Sequence, residues 1–460
     1  MKFVRYVGAE QCVDSEYQEA IQNGHHVLID WVSANANSTV DFKLDGKPLD
    51  ANLMGTTKDF LDIGILVYLA DEMVDRSQTT DYWTRRIRCL APVNDPDNWH
   101  GNERLLKDSL AKLSGDLWQF EWLNLETPPV TRRHRRALPN DCDVVCLFSG
   151  GTDSLLGAIH LLEEGRKVLL VGHQAEGQSA SAQTALADML RRIYPHQLYL
   201  VQCRISRSPR QNTQFHLAKK TERSHRPRSF LFLTLSVAIA VRCGIDEVYM
   251  PENGFMALNI PIQMSRTGTL STRTAHPSYI LRFIQVAHEA AGFAGRIRNP
   301  FLTQSKTDMM MNIRTSWHPM IQRSISCARP ARFNNMNVRH CGYCIPCIHR
   351  RIALLESQLD TASHYAFDVF RHFPSLDRDK QQDFRAIVRF ALQVNSASTA
   401  KLQILILSHG YFPPDIGGTI GLSVTGSYDP WIGMLRRWAT DFICKVQNTA
   451  SARTRRAIEF

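Results

Sequence analysis

The stretch Val144-Val145-Cys146-Leu147-Phe148-Ser149-Gly150-Gly151-Thr152-Asp153-Ser154 decides the fold. An apolar run of strand length leads into a small, glycine-rich turn. Leu155, Leu156, Ile159 and Leu162 then recur at helical spacing, so the turn lies between a buried strand and a helix. Two glycines let backbone N–H groups come close to an anion, and the N-terminus of the following helix adds partial positive charge. Asp153 and the hydroxyls of Ser149, Thr152 and Ser154 suit phosphates and a divalent cation. A bare Gly-Gly is common in ordinary β–α turns. The whole Ser-Gly-Gly-x-Asp-Ser string after a strand points to a phosphate site.

The same alternation continues outward. Lys167-Val168-Leu169-Leu170-Val171-Gly172 reads as a second buried strand, followed by a helix carrying Leu186, Met189 and Leu190. Gln197-Leu198-Tyr199-Leu200-Val201 is a third strand, residues 230–241 an apolar helix, and Glu247-Val248-Tyr249-Met250 a fourth strand. Strands alternating with helices imply an α/β fold, a doubly wound parallel sheet with helices on both faces. Ligands of such sheets bind beyond the carboxyl ends of the strands. Four segments should therefore converge on one crevice: residues 149–154, His173-Gln174, Arg204-Ile205-Ser206, and Pro251-Glu252-Asn253-Gly254.

With 460 residues the chain is too long for one typical core. Three parts are expected: an N-terminal α+β domain over 1–138, the α/β unit over 139–358, and a mainly helical extension over 359–460. In the first part, His26-Val27-Leu28-Ile29-Asp30-Trp31-Val32 is a strand candidate. Thr39-Val40-Asp41-Phe42-Lys43-Leu44 alternates and ends at Asp45-Gly46, as in a meander or hairpin. Phe60, Ile63, Leu66, Leu69 and Met73 mark a helix with one apolar face. Trp118-Gln119-Phe120-Glu121-Trp122-Leu123 alternates again, while His25, His26 and His100 have no catalytic spacing. Pro128-Pro129 and the basic run Arg132-Arg133-His134-Arg135-Arg136 form a linker candidate. In the last part Phe384, Ile387, Val388 and Leu392 share a helix face. Residues 402–407 read as a strand or a buried helical turn, and Met434, Leu435, Trp438 and Phe442 mark a final helix. The Gly417-Gly418 pair lacks the Lys-Ser/Thr of a Walker loop and takes no phosphate role.

A formal charge of +10 allows an anionic partner, a nucleotide, nucleic acid or acidic protein. The chain has no apolar run long enough to cross a membrane, and its start lacks the pattern of a signal peptide, so a cytoplasmic location is expected. Of its 11 cysteines, four form one grouping, Cys327…Cys341-Gly342-Tyr343-Cys344-Ile345-Pro346-Cys347. Four thiolates at this spacing suit a tetrahedral Zn²⁺ site with no position open for water, hence a structural role. A redox pair or an iron–sulfur cluster are the other chemistries open to them. Arg350 and Arg351 follow directly, either near the anionic site or at a solvated helix start.

The turn differs from a Walker loop in lacking its lysine, and resembles the pyrophosphate-binding loop of the ATP pyrophosphatase (PP-loop) superfamily, of HUP-type fold. Both motifs in this order resemble QueC, the 7-cyano-7-deazaguanine synthase family, over roughly 143–354. Arg226-Pro227-Arg228-Ser229-Phe230 is similar to that family's Arg-Asn lead into an apolar helix, with Ser229 in place of the Asn. Pro300-Phe301-Leu302-Thr303-Gln304-Ser305-Lys306-Thr307-Asp308 is similar to its Pro-Leu-x(4)-Lys-x-Glu stretch, with Asp308 shortening the acid. The first cysteine lies farther upstream than in the housekeeping synthase. Residues 251–261 replace the base-pocket sequence, and His276-Pro277 stands near its Asp-Cys. Together with two large flanking parts, these departures resemble the QatC group, the QueC-like members of Qat antiphage systems, which also include an ATPase and a TatD-like nuclease.

The resemblance implies ATP, Mg²⁺ and Zn²⁺ as cofactors and a 7-deazaguanine carboxylate as substrate, adenylated and then attacked by an amine. Ser149, Gly150, Gly151 and Ser154 would hold pyrophosphate, Thr152 would start the helix, and Asp153 would order the loop or bind Mg²⁺. Lys306 is a candidate for the α-phosphate or a surface lysine, and Arg228 is a similar candidate. His173, after the second strand, is a further nucleotide-contact candidate or a packed histidine. Glu252 and Asn253 would read a guanine-like edge or form a turn. Cys327, Cys341, Cys344 and Cys347 would be the zinc ligands. The amine is expected to be the N-terminus of a partner protein of the defence system, with nucleic acid possible and not required. Ammonia in its place would make a housekeeping nitrile synthase. A tRNA thiolation enzyme and a non-catalytic nucleotide-binding subunit are the remaining alternatives.

Overall fold

The computed structural model describes residues 2–6, 26–29, 31, 38–125, 135–174, 178–207, 222, 226–262, 273–311, 313–328, 338–414, 416 and 426–459. His25, Asp30, Val32, Pro128-Pro129, residues 132–134 of the basic run, and Gly417-Gly418 lie outside them.

Two sheets form the frame. The first holds β1 (Lys2–Tyr6), β2 (His26–Ile29), β5 (Arg86–Val93) and β6 (Leu117–Asn124) in the order β2-β1-β5-β6, all parallel. The second has seven strands in the order β11-β10-β7-β8-β9-β3-β4. Its parallel part is β7 (Val144–Leu147), β8 (Val168–His173), β9 (Leu198–Arg207), β10 (Glu247–Tyr249) and β11 (Arg296–Arg298). β7 and β8 are buried at every position, as strands covered on both faces must be.

The hairpin expected near Asp45-Gly46 is present as β3 (Ser38–Leu44) and β4 (Lys47–Pro48), turning through left-handed Asp45 and Gly46. It does not stay within the N-terminal part. β3 pairs antiparallel with β9 over its whole length, from Ser38↔Arg207 to Leu44↔Val201. Sheet pairing therefore carries β9 through Arg204-Ile205-Ser206, a segment that the sequence pattern places beyond a strand end. These three residues lie within the strand.

Fifteen helices among the described residues cover the sheets. The ones that matter here are α1 (Gly55–Met73), α2 (Pro96–Ser114), α3 (Thr152–Glu163), α4 (Gln178–Ile193), α5 (Arg228–Cys243), α6 (Gly254–Leu258), α7 (Pro277–Ala291), α8 (Lys306–Met310), α9 (His318–Arg323) and α10 (Ile345–Glu356). In the last part α11 (Val369–His372), α12 (Arg378–Ser396), α13 (Thr399–Ser408), α14 (Asp429–Thr449) and α15 (Ala452–Ala457) follow. None of the helices is long and apolar enough to cross a membrane, among the described residues.

α1 departs from the single apolar face that its spacing predicts. Every residue from Phe60 to Met73 is buried except Asp62 and Glu72, because the helix lies between β2 and β5 on one side and α5 and α7 on the other. The fit to α5 is close. A Cβ on Gly64 would lie 2.1 Å from Thr234 Oγ1. Residues 402–407 are helical, within α13, and the Ser398 side chain accepts from Lys401 N at its start. On α12 the core face runs Phe384, Ile387, Val388, Ala391 and Val394, leaving Leu392 exposed. α14 packs along α12 and reaches α6 and α10, which brings the C-terminal part to the edge of the central unit.

Candidate active site

The 149–154 turn is built from its backbone. Gly150 has φ +81°, a left-handed conformation that a glycine adopts without penalty. Its carbonyl accepts from Ile325 N at 2.9 Å, which ties the turn to the 324–328 loop. Ser154 Oγ accepts from Ser149 N at 3.2 Å and donates to Gly151 O at 3.1 Å, closing the turn on itself. Gly151 is the N-cap of α3 and supplies no capping side chain. The first N–H groups of α3 thus lack a side-chain acceptor, the arrangement that accommodates an anion.

Asp153 and Lys306, 153 residues apart in sequence, form a buried ion pair with Nζ to Oδ1 at 2.6 Å. The other carboxylate oxygen of Asp153 accepts from Asn253 Nδ2 at 2.6 Å. Burial alone would raise the Asp153 carboxyl. Lys306, a hydrogen bond from Glu252 and another from Asn253 outweigh it and hold this carboxyl below the usual range. Glu252 moves the opposite way: burial, then the negative charge of Asp153, push its carboxyl well above the ordinary value. Two carboxyls thus share one negative charge, which Lys306 neutralises.

Asn253 has its side chain committed. Its Oδ1 accepts from Met256 N at 3.1 Å as the N-cap of α6, and its Nδ2 donates to Asp153 and to Glu252 Oε1. Fully buried, it acts as a bracket between the turn and the end of β10. Glu252 faces the cavity that the turn opens into, about 250 Å³ in volume, together with Ser149, Asp153, Lys306 and His349.

Arg350 and Arg351 are both buried and not part of a solvated helix start. Arg350 Nη1 donates to Thr152 Oγ1 at 2.7 Å and to Ser324 Oγ at 2.8 Å, so α10 holds the first residue of α3. Arg351 pairs with Asp360 at 3.0 Å and Asp368 at 2.7 Å and fastens the C-terminal part instead. His173 and Arg228 do not line the cavity. His173 ends β8 with its ring edge-on to Tyr68 and Phe232, at 5.1 and 5.7 Å, because α1 and α5 pack over that strand end. Arg228 lies over the Phe232 ring at 5.4 Å, close to Tyr68 and Glu72.

One lining residue carried no signal of its own in the sequence. His349 is buried against Phe255 at 4.4 Å and Trp438 of α14 at 5.7 Å, and its Nε2 has no partner among the described residues. Burial, then the nearby Lys306 charge, take this imidazole down to about 3, so it is neutral. The available clue was its place two residues after Cys347, on the helix that the cysteines anchor.

Cys327, Cys341, Cys344 and Cys347 place their sulfurs within 4.8 Å of one another, with Cys341 and Cys347 Sγ 3.8 Å apart. A tetrahedron of Zn–S bonds of about 2.3 Å has edges of about 3.8 Å, so the group fits a four-thiolate zinc. Cys341 N donates to Cys327 Sγ and Cys344 N to Cys341 Sγ, both at 3.4 Å, which favours thiolates. Gly342, at φ +85°, is required here, since a Cβ would lie 2.0 Å from Phe367 O. The cluster joins the 324–328 loop to α10, the two segments that grip the turn. A zinc there would act on the turn through structure.

Residues 143–358 match the family model described as queuosine biosynthesis protein QueC. The central unit is QueC-like. It is a PP-loop superfamily unit of the ATP-using kind, with a four-cysteine group that could hold zinc. No curated protein and no solved structure gave a match to the chain. Within the QueC-like unit lie the turn, Asp153, Glu252, Lys306, Arg350 and all four cysteines, whereas Trp438, which packs His349, comes from outside it.

Proposed function

We propose that the chain is an ATP-dependent ligase that adenylates 7-carboxy-7-deazaguanine and transfers its acyl group to an amine. A carboxylate oxygen attacks the α-phosphorus of ATP, and the bond to the β-phosphate oxygen breaks to release pyrophosphate. The amine nitrogen then attacks the acyl carbon, AMP leaves with the C–O electron pair, and the nitrogen loses a proton. The product is an amide.

In this proposal Ser149, Gly150, Gly151 and Ser154 hold the departing pyrophosphate at the N-terminus of α3. Thr152 is fixed from behind by Arg350. Lys306, aimed by its ion pair with Asp153, meets the α-phosphate, where donors fixed in advance have the largest effect on rate. Mg²⁺ arriving with ATP would meet the Asp153 carboxylate. Glu252 takes the guanine-like edge, whose ring N–H and amino donors favour its ionised form. The amine is assigned to the N-terminus of a partner protein in a Qat-type antiphage system in the cytoplasm. Support comes from the flanking parts outside the QueC match and from the altered 251–261 segment.

The observation that carries the proposal is the meeting of an uncapped helix N-terminus, the Asp153–Lys306 pair and Glu252 in one cavity of the QueC-like unit. Incubation with ATP and 7-carboxy-7-deazaguanine should yield AMP and pyrophosphate, and ADP in their place would exclude adenylation. Intact-mass spectrometry of candidate partner proteins should then find an added deazaguanine acyl group. A free nitrile formed with ammonia, and no conjugate, would point to the housekeeping synthase instead.

A further inference from the structure

We propose that Asp441, on α14 of the C-terminal part, is a positioning residue for Lys306: it fixes the first turn of α8 from outside the QueC-like unit and so sets where the Lys306 ammonium stands in the cavity. Thr307 follows Lys306 directly in α8, and its Oγ1 donates to Asp441 Oδ2 at 2.9 Å. The other oxygen of Asp441 pairs with Lys445 at 2.8 Å, and Lys445 reaches Glu356, at the end of α10, at 3.1 Å. Arg437 Nη2 donates to Thr303 O and to Asp308 Oδ2, each at 3.3 Å. α14 thus holds residues 303, 307 and 308, on both sides of Lys306 in the sequence.

α8 needs such ties. It has five residues, and a single helical turn gains too few hydrogen bonds to stand by itself. Ser305 and Asp308 close its N-terminus with a capping box, which shapes the turn without placing it. Lys306 carries a flexible four-carbon stem, so where its ammonium rests depends on where its backbone is held. α14 also backs the other five-residue helix beside the cavity, α6. The Trp438 and Phe255 ring centroids are 4.3 Å apart, and a Cβ on Gly254 would lie 3.1 Å from Met434 Cε. The N-cap of α6 is Asn253, which holds Asp153, the partner of Lys306. One 21-residue helix therefore supports both short helices that adjoin the ion pair.

The consequence for a bound phosphate rests on the adenylation proposed above, whereas the placement of Lys306 by α14 does not. With α14 setting the turn, loss of one tie lets Lys306 leave Asp153 more often. One hydrogen bond shifts a local opening of this kind by about threefold to tenfold.

Acylation of Lys306 by an amine-reactive ester, read on the full chain by peptide mass spectrometry, reports that opening without any substrate. Thr307→Val and Asp441→Ala should each raise the Lys306 rate by about threefold to tenfold, and Thr307→Ser should keep it. Lys58, on α1, should label at one rate in all of them. An unchanged Lys306 rate in both Thr307→Val and Asp441→Ala would overturn the positioning role. So would a rise that Lys58 shares, which marks general loosening. In steady-state kinetics the same two variants should lose about threefold to tenfold in kcat, with KM for ATP nearly constant. If the unsubstituted protein forms no AMP while Lys306 labels as expected, the adenylation fails and the positioning of Lys306 stands.

Discussion

The molecule contains two strand–turn–helix units that begin alike and end differently. β5 runs into α2, and β7 into α3, each from a buried strand in a parallel sheet. At α2 the N-cap is Asp95, whose carboxylate accepts from Asn98 N at 3.0 Å, with Pro96 at the first helical position and Asp97 in the first turn. That helix end is closed by its own side chain and is negative. At α3 the N-cap is Gly151, with no side-chain cap, and the nearest acid, Asp153, is paired with Lys306. One helix end satisfies itself, and the other leaves its N–H groups without a side-chain cap. The topology is shared, so the chemistry follows from cap residues.

Exchanging the caps should break this contrast. Gly151 has φ −82°, which any residue adopts, and a Cβ there meets Ser149 Oγ at 3.2 Å and Ile325 O at 3.4 Å. Gly151→Asp would give α3 the cap that α2 has. Pyrophosphate release should fall by about 10²-fold or more, the scale of removing preset donors from a developing charge. The melting temperature should hold or rise, since a capping acid contributes about 1 kcal/mol. Loss of activity together with a large fall in melting temperature would mean simple misfolding of the turn.

The N-terminal sheet has a supporting role in this contrast, and its joint to the central unit tests that role. Gly64→Ala forces a Cβ against Thr234 Oγ1 and should cost about 1–3 kcal/mol by denaturant unfolding. AMP formation per folded molecule should stay unchanged. Adding Thr234→Ala should recover most of the loss, because the two substitutions share one contact.

How much of this was legible in the sequence depended on how local the signal was. The turn, its strand and helix, and the cysteine grouping are contiguous patterns whose chemistry needs neighbours, and all appear where their residues indicate. Partners far along the chain left no such trace. Arg350 reads the same whether it is solvated or donating to Thr152, 198 residues away. Alternation in β3 marks a strand without saying that its partner is β9. His173 and Arg228 stand at plausible places next to a strand end and a helix start, yet α1 from the N-terminal part covers both. Asn253 and Glu252 are adjacent and polar, and only the packing assigns one to hold Asp153 and leaves the other facing the cavity.

Glu252 sharpens the electrostatic side of the comparison. Its folded-state carboxyl is raised, so below the ordinary value near 4.5 the proton is bound in both states and Glu252 imposes no penalty. As pH rises above that value the unfolded chain loses the proton before the folded one does, and stability falls until the folded group also ionises. Glu252→Gln keeps a neutral side chain and should remove that slope. The variant should melt about 2 °C higher at pH 8 and show no gain at pH 4, as followed by scanning calorimetry. An equal gain at both pH values would place the effect in packing rather than charge.

The smallest effect belongs to the reciprocal exchange at α2. Asp95→Gly gives this helix the cap that α3 has, and replacing a capping acid with glycine costs a few tenths of a kcal/mol. It should not create a second nucleotide site. Pro96 removes one of the N–H groups that a phosphate would need, and Asp97 keeps negative charge in the first turn. The measurement is ATP binding by calorimetry in the Gly151→Asp background, where the main site is closed, with Asp95→Gly added. Binding that returns would show that an open cap suffices by itself. Binding that stays absent would show that α3 also needs what surrounds its cap: Gly150 in the left-handed region, and Lys306 beside Asp153 to cancel the one acid in its first turn.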